Sequence, residues 1–191
     1  MRRYQHWKNL ASGGHTAFVT TTALDFVPVF AGSDAKDRMA HLLITDHERY
    51  GAALLAFVIM QNHIHFLTRL PENRDVSWLV QRIKANSARH LKPRLAPEQA
   101  SALADQTGLN GRTFWQRSFR SVTVEGEEMF WQKVDYIHMN AVKAGLAETP
   151  QGYRWSSASL FLAGQWDESR GVTWERWTGV LKSVHSGAVE A

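Results

Sequence analysis

Cysteine is absent from the 191-residue chain. That excludes disulfides, thiolate metal sites and a cysteine nucleophile, and it fits a reducing cytoplasm. No apolar run is long and uncharged enough to span a membrane. The basic start, "MRRYQHWKNLASGG", lacks the apolar stretch of a secretory signal. No Gly-rich phosphate loop follows any predicted strand, which argues against a P-loop or dinucleotide-binding reading. There is no internal repeat and no low-complexity run. Proline is scarce, with 5 in the chain. Each one falls at a predicted boundary or loop: Pro28, Pro71, Pro93, Pro97 and Pro150.

Tryptophan and histidine are plentiful, at 8 and 9 residues, and 44% of the chain is hydrophobic. That is enough to bury a proper core. The formal net charge of +4 leans towards an anionic partner.

Residues 15–24, "HTAFVTTTAL", alternate and are rich in Thr and Val, which predicts a strand. Residues 25–32 read as a loop. Residues 34–51 put Ala35, Met39, Leu42 and Leu43 on one helical face and stop at Gly51. Residues 52–70 read as one long strand or a hairpin. Residues 75–95 predict an amphipathic helix with Trp78, Leu79, Ile83 and Leu91 inward and Arg82, Lys84, Arg89 and Lys92 on a basic side. The stretch to Gly111 reads as an irregular or short helical insert. Residues 113–124 predict a strand and 125–147 a helix. That helix is acidic in its first turn, basic near its end and stopped by Gly145. The Trp-rich tail suggests short helices around 155–163 and 173–182, with Ser156 and Ser157 as a helix N-cap. The order predicts an α+β fold, a ferredoxin-like antiparallel sheet with helices packed on one face. The expected division is a domain over 1–160 and a C-terminal helical tail over 161–191.

The segment "FVIMQNHIHFLTRL" (57–70) interrupts an apolar strand with polar residues. On a strand, residues two apart share a face, so Gln61, His63 and His65 project together. Two imidazoles on one face suit a shared transition-metal ion, and with oxygen ligands added they also admit Mg or Mn. In "WQKVDYIHMNAVKAGL", Tyr136 and Asn140 are four apart on one helical face, flanked by Lys133 and Lys143. A tyrosine is a possible covalent nucleophile and an Asn oxygen a possible hard-metal ligand. His138 falls on a different helical face and is not assigned as a base.

Together "MQNHIHFL" (60–67), "FWQRSFRSV" (114–122), "YIHMNAVKAGLAETPQGYRWSSA" (136–158) and the opening "RRY" resemble the REP-associated tyrosine transposases of the HUH single-strand transposase superfamily. The resemblance runs from about residue 15 to residue 160. It implies that Tyr136 is the catalytic tyrosine, with His63, His65 and Asn140 holding Mg2+ or Mn2+. It implies cleavage and strand transfer of single-stranded DNA through a 5′-phosphotyrosine link, at hairpins or palindromic repeats, by a possible homodimer in the cytoplasm, nucleoid-associated if bacterial. Gln61, Arg82, Lys84, Arg89, Lys92, Arg117, Lys133 and Lys143 are the candidate DNA contacts; Trp115 of the matching W-Q-R reads as core. The chain departs from the family at Gln61 and Ala141, where the family has proline, and its opening lacks the usual G-x-x-Y-F continuation. The alternatives are a catalytically lapsed DNA-hairpin-binding module and an HxH metalloenzyme acting on small molecules.

Overall fold

The β-branched run Thr16–Thr22 forms strand β1. Helix α1 follows over Ser33–Arg49, then β2 over Ala53–Ile59 and β3 over His63–Arg69. Helix α2 spans Val76–Leu91, α3 Pro97–Thr107, β4 Arg120–Val124 and α4 Glu127–Lys143. The short α5, Ala158–Leu162, and α6, Trp174–Ser186, are the last elements of the described residues. This computed structural model describes residues 14–107 and 113–186; the basic opening and the end of the 97–111 insert lie outside them.

The four strands form one antiparallel sheet in the order β2-β3-β1-β4. Residues 52–70 are therefore a hairpin, turning at Met60–Asn62. Both faces of β2 are covered, so its sequence reads as a continuous apolar run rather than an alternating one. Alternation along β1 and β3 sorts two cores. Ala17, Val19, Ile64 and Phe66 pack with Met39, Leu43 and Ile44 of α1 and Leu79, Val80 and Ile83 of α2. Phe18 and Leu67 face the other way, against Val134, Ile137 and Ala141 of α4. The expected α+β sheet is present, and the helices α1 and α2 share one face. Helix α4 departs from the one-face expectation by covering the opposite face.

Local chemistry sets the helix ends. The Asp75 carboxylate accepts from the Trp78 N–H at 2.7 Å and caps α2. Glu127 and Glu128 open α4 and Lys143 ends it, complementing the helix dipole. Gly145 then turns the chain at φ 67°.

Two expected boundaries are corrected. The predicted strand 113–124 shrinks to β4, because Trp115 makes an isolated bridge with Ala23 and residues 116–119 leave the ladder. The helix expected around 155–163 begins only at Ala158, because residues 155–157 are bonded to the edge of β2. Ser157 holds the N-cap position without a side-chain cap bond: its Oγ accepts from the Phe57 N–H and meets His138 Nε2, both at 2.9 Å. The tail is integrated into the sheet's core, since Trp177 and Val180 of α6 pack in the same cluster as Phe57. Among the described residues no helix is long and apolar enough to cross a membrane.

Candidate active site

β3 lies inside the sheet between β2 and β1, which gives its side chains a rigid platform. His63 and His65 both point towards α4, with ring centroids 4.8 Å apart. Each ring is held at Nδ1. The Asn62 amide nitrogen donates to the Phe26 carbonyl at 3.1 Å, so its Oδ1 accepts from His63 Nδ1–H at 2.7 Å. That tautomer leaves the His63 Nε2 lone pair free. His65 Nδ1 lies 2.8 Å from the Thr20 hydroxyl, which can serve either tautomer. Burial pushes both imidazoles below their ordinary pKa; for His65, burial first and the neighbouring His63 second bring it down to about 3. Both rings are thus neutral near pH 7, the form that binds a metal.

α4 delivers the other half of the site. The Tyr136 ring stands edge-on to His65 at 5.4 Å and to Phe18 at 5.5 Å, and Phe18 stacks on His65 at 5.6 Å. Asn140 Nδ2 donates to the Tyr136 carbonyl at 2.6 Å, and the Asn140 side chain lies near enough to His65 to oppose slightly the lowering of its pKa. The i, i+4 spacing places Tyr136 and Asn140 on one face, and α4 packs through Val134, Ile137 and Ala141 so that this face meets the histidine pair. Tyr136 is 43% exposed, so a polymeric substrate can reach its hydroxyl. Lys133 Nζ sits 5.4 Å over the Phe18 ring and Lys143 Nζ 5.8 Å over the Tyr136 ring, placing two cations at the same surface.

No group of three His, Asp or Glu side chains converges among the described residues. The donor set that does converge is two neutral imidazoles and one amide. It fits a divalent ion with open positions left for oxygen ligands, and its two nitrogens suit Mn2+ better than Mg2+.

The remaining sequence-based candidates scatter. Gln61 is an exposed residue of the β2–β3 turn, outside the strand, so it does not share the His63–His65 strand face. Its carbonyl accepts from the Phe30 N–H at 2.8 Å. Arg82 and Arg89 belong to α2 and Lys92 follows at its C-cap, across the sheet from Tyr136. The Arg82 guanidinium lies 5.9 Å over the Trp78 ring. Lys84 is half-buried, and its ammonium donates to the carbonyls of Gln116, Arg117 and Ser118 at 2.5, 3.3 and 3.4 Å. Burial brings it down to about 8. It fastens the segment carrying the exposed Arg117, which sits near the His63 rung because the Gln116 N–H donates to Thr22 and Thr22 pairs with His63. Trp115 is buried, donating Nε1–H to Ser87 Oγ at 3.0 Å.

Sequence reasoning missed Thr20, Asn62 and Arg120. Asn62 was beside the motif and could have been found as the polar neighbour of His63. Thr20 and Arg120 were hidden because strand register is non-local: His65 pairs with Thr20, and Thr20 pairs with Arg120. Residues directly opposite on a sheet share a face, so Arg120 is on the Tyr136 side.

This arrangement has relatives. A protein from Haemophilus influenzae, described as a REP-associated tyrosine transposase, is 28% identical over 112 residues, 58% of this chain and 61% of that protein. The match thus spans under two thirds of the relative's length. A solved structure, described as a REP-associated tyrosine transposase bound to a REP hairpin, overlays with a TM-score of 0.66 at 19% identity. The overlay covers 88% of this chain and 91% of that one, and at such identity it establishes the fold. The family described as "Transposase IS200 like" matches residues 20–140, a span that holds His63, His65, Tyr136 and Asn140. The chain belongs to the IS200-like transposase family, a family of DNA-processing enzymes.

Proposed function

We propose that this protein cleaves and rejoins single-stranded DNA through a covalent bond to Tyr136, at hairpin or palindromic DNA. The observation that carries the reading is the meeting of two sequence-distant motifs: the Tyr136 ring lies 5.4 Å from His65, whose ring is 4.8 Å from that of His63, and Asn140 follows one turn later on the same helix. The relatives' descriptions as REP-associated transposases, one of them bound to a REP hairpin, support the substrate class.

In this reading the Tyr136 hydroxyl loses its proton and its oxygen attacks the phosphorus of a phosphodiester. The bond to the 3′-oxygen breaks, that oxygen takes up a proton, and the 5′-phosphate stays on the tyrosine. A 3′-hydroxyl from another strand then attacks the phosphotyrosine and releases Tyr136, giving strand transfer. His63 and His65 through Nε2, and Asn140 through its amide oxygen, would hold a divalent cation, Mn2+ or Mg2+, which supplies Lewis-acid stabilisation of phosphoryl charge. Lys133, over the Phe18 ring, and Lys143, over the Tyr136 ring, add positive charge to the same surface. Phe18 packs against both Tyr136 and His65 and fixes their spacing.

Tyr136→Phe keeps the ring contacts and removes only the hydroxyl. Incubated with Mn2+ and labelled single-stranded hairpins, the wild type is expected to form an adduct that survives a denaturing gel, and the variant none while still binding. An adduct formed by the Phe variant would sink the assignment. A wild type that binds hairpins without cleaving them would support the lapsed binding module instead.

A further inference from the structure

Asp25 and Phe26 are consecutive non-glycine residues at positive φ, 52° and 59°. L side chains disfavour this region, and such strain persists only where the surroundings hold it. Here the holding bonds are visible. The Ala23 N–H donates to the Asn62 carbonyl at 2.7 Å, the Phe26 N–H to the Ala23 carbonyl at 3.2 Å, and Asn62 Nδ2 to the Phe26 carbonyl at 3.1 Å. The outcome is a benzyl ring that is 63% exposed, more than any other exposed aromatic of the described residues. Phe26 contributes nothing to either core. Strain that keeps an apolar ring in water has no folding rationale.

The location supplies one. The amide that anchors the Phe26 carbonyl is the same one that holds His63 Nδ1. The Phe26 backbone thus stands one side chain away from His63, on a turn whose position is locked to it. The turn is also tied to the Arg117 segment, because the Leu24 N–H donates to the Phe114 carbonyl at 2.9 Å. A single exposed ring is too small for a protein docking surface. It is the right size for one base, since stacking of bases on aromatic rings is the common device for gripping single strands.

We propose that Phe26 is a stacking platform for an unpaired nucleobase of the strand engaged at Tyr136. This rests on the single-stranded DNA reading above and adds a subsite to it. Stacking is sequence-tolerant, so the platform grips whichever base flanks the reacting phosphate. Asn62 couples that grip to His63, so seating the base fixes the backbone relative to the metal-binding pair.

The test compares a short labelled oligo-dT strand with the same strand carrying abasic sites, by fluorescence anisotropy in EDTA. The wild type is expected to favour the base-bearing strand by roughly tenfold. Phe26→Ala and Phe26→Gly are expected to bind both strands alike, and Phe26→Trp to keep the preference. Phe26→Gly also relieves the positive φ, so its Tm is expected to rise while its preference disappears. A Phe26→Ala protein with the full preference, a wild type binding both strands alike, or a Phe26→Gly protein with a lowered Tm would each overturn the platform. A wild type that binds neither strand and forms no adduct would overturn the DNA reading itself.

Discussion

Thr20 and Asn62 each grip one imidazole at Nδ1, at 2.8 and 2.7 Å, and so turn Nε2 of each ring towards the position proposed for a metal. Partners of this kind typically change metal affinity by 10- to 100-fold when removed. Thr20→Val replaces the hydroxyl by a methyl on a β-branched strand residue, so the fold is expected to stand. Mn2+ binding by calorimetry is expected to weaken by about 10- to 100-fold; unchanged affinity would show that the hydroxyl does not orient His65. One rung further out, Arg120 shares the face of Thr20 and His65. It is exposed, and no carboxylate among the described residues pairs with it. In the proposed reading, a phosphate lying over Tyr136 is its counter-ion. Arg120→Ala is expected to weaken single-strand binding and to reduce the slope of log affinity against log salt by about 1. The same experiment on Arg89, across the sheet, is expected to leave the slope unchanged, and equal effects from the two would refute the assignment.

Each half of the site was legible because regular elements carry their own period: two for His63 and His65 on β3, about 3.6 for Tyr136 and Asn140 on α4. What the period cannot show is which sheet face a helix covers. The apolar stripe of α4 would serve either face, and only the alternation of Phe18 against Val19 across a solved sheet separates them. Gln61 was misplaced for a related reason, since the periodicity was carried two residues past the start of β3 into the turn. The Trp-rich tail had no readable role because its partner is a strand far away in sequence. The Val172 N–H donates to Leu54 at 2.6 Å, Trp166 Nε1 to Leu55 at 2.8 Å and the Ser157 N–H to Phe57 at 3.0 Å, so the tail closes the open edge of β2. Gly171 makes that closure possible: its φ is 67°, and a Cβ there would lie 2.7 Å from the Leu54 carbonyl oxygen. Gly171→Ala therefore faces both a strained backbone and a clash with main chain. It is expected to cost at least about 1 kcal/mol, seen as a Tm lowered by roughly 2–4 °C or more; an unchanged Tm would show that the tail does not secure the edge.

Taken as a whole, the molecule buries an unusual amount of neutral imidazole. His47 and His138 are both brought down to about 4 by burial and His65 to about 3, while His63 is lowered as well. His47 bonds the Leu43 carbonyl through Nδ1 and leaves Nε2 without a partner, so protonating it would bury a charge with nothing to receive it. Each of these groups titrates at its ordinary 6.5 once unfolded. Below that pH the unfolded chain takes up protons that the folded chain refuses. Stability is then complete above about pH 6.5 and falls as the pH drops towards 4, with a slope of about 1.4 kcal/mol per pH unit for each histidine. Asp46 works in the opposite direction. Burial raises its carboxyl, so the folded form accepts that proton more readily than the unfolded one, although Asn86 and Arg49 limit the rise. His47, His65 and His138 alone, set against one carboxylate, leave the balance with the histidines. By pH 5 each contributes a loss of about 2 kcal/mol, and the sum is large against the roughly 5–15 kcal/mol that holds a domain together. Urea unfolding in EDTA is expected to show a clearly lower midpoint at pH 5 than at pH 7.5. His138→Gln, which can still hydrogen-bond Ser157, is expected to flatten that dependence by about one histidine's slope. A midpoint that is constant across this range would mean that the buried imidazoles find water when the protein meets acid, and that the histidine-lined core is looser than its packing indicates.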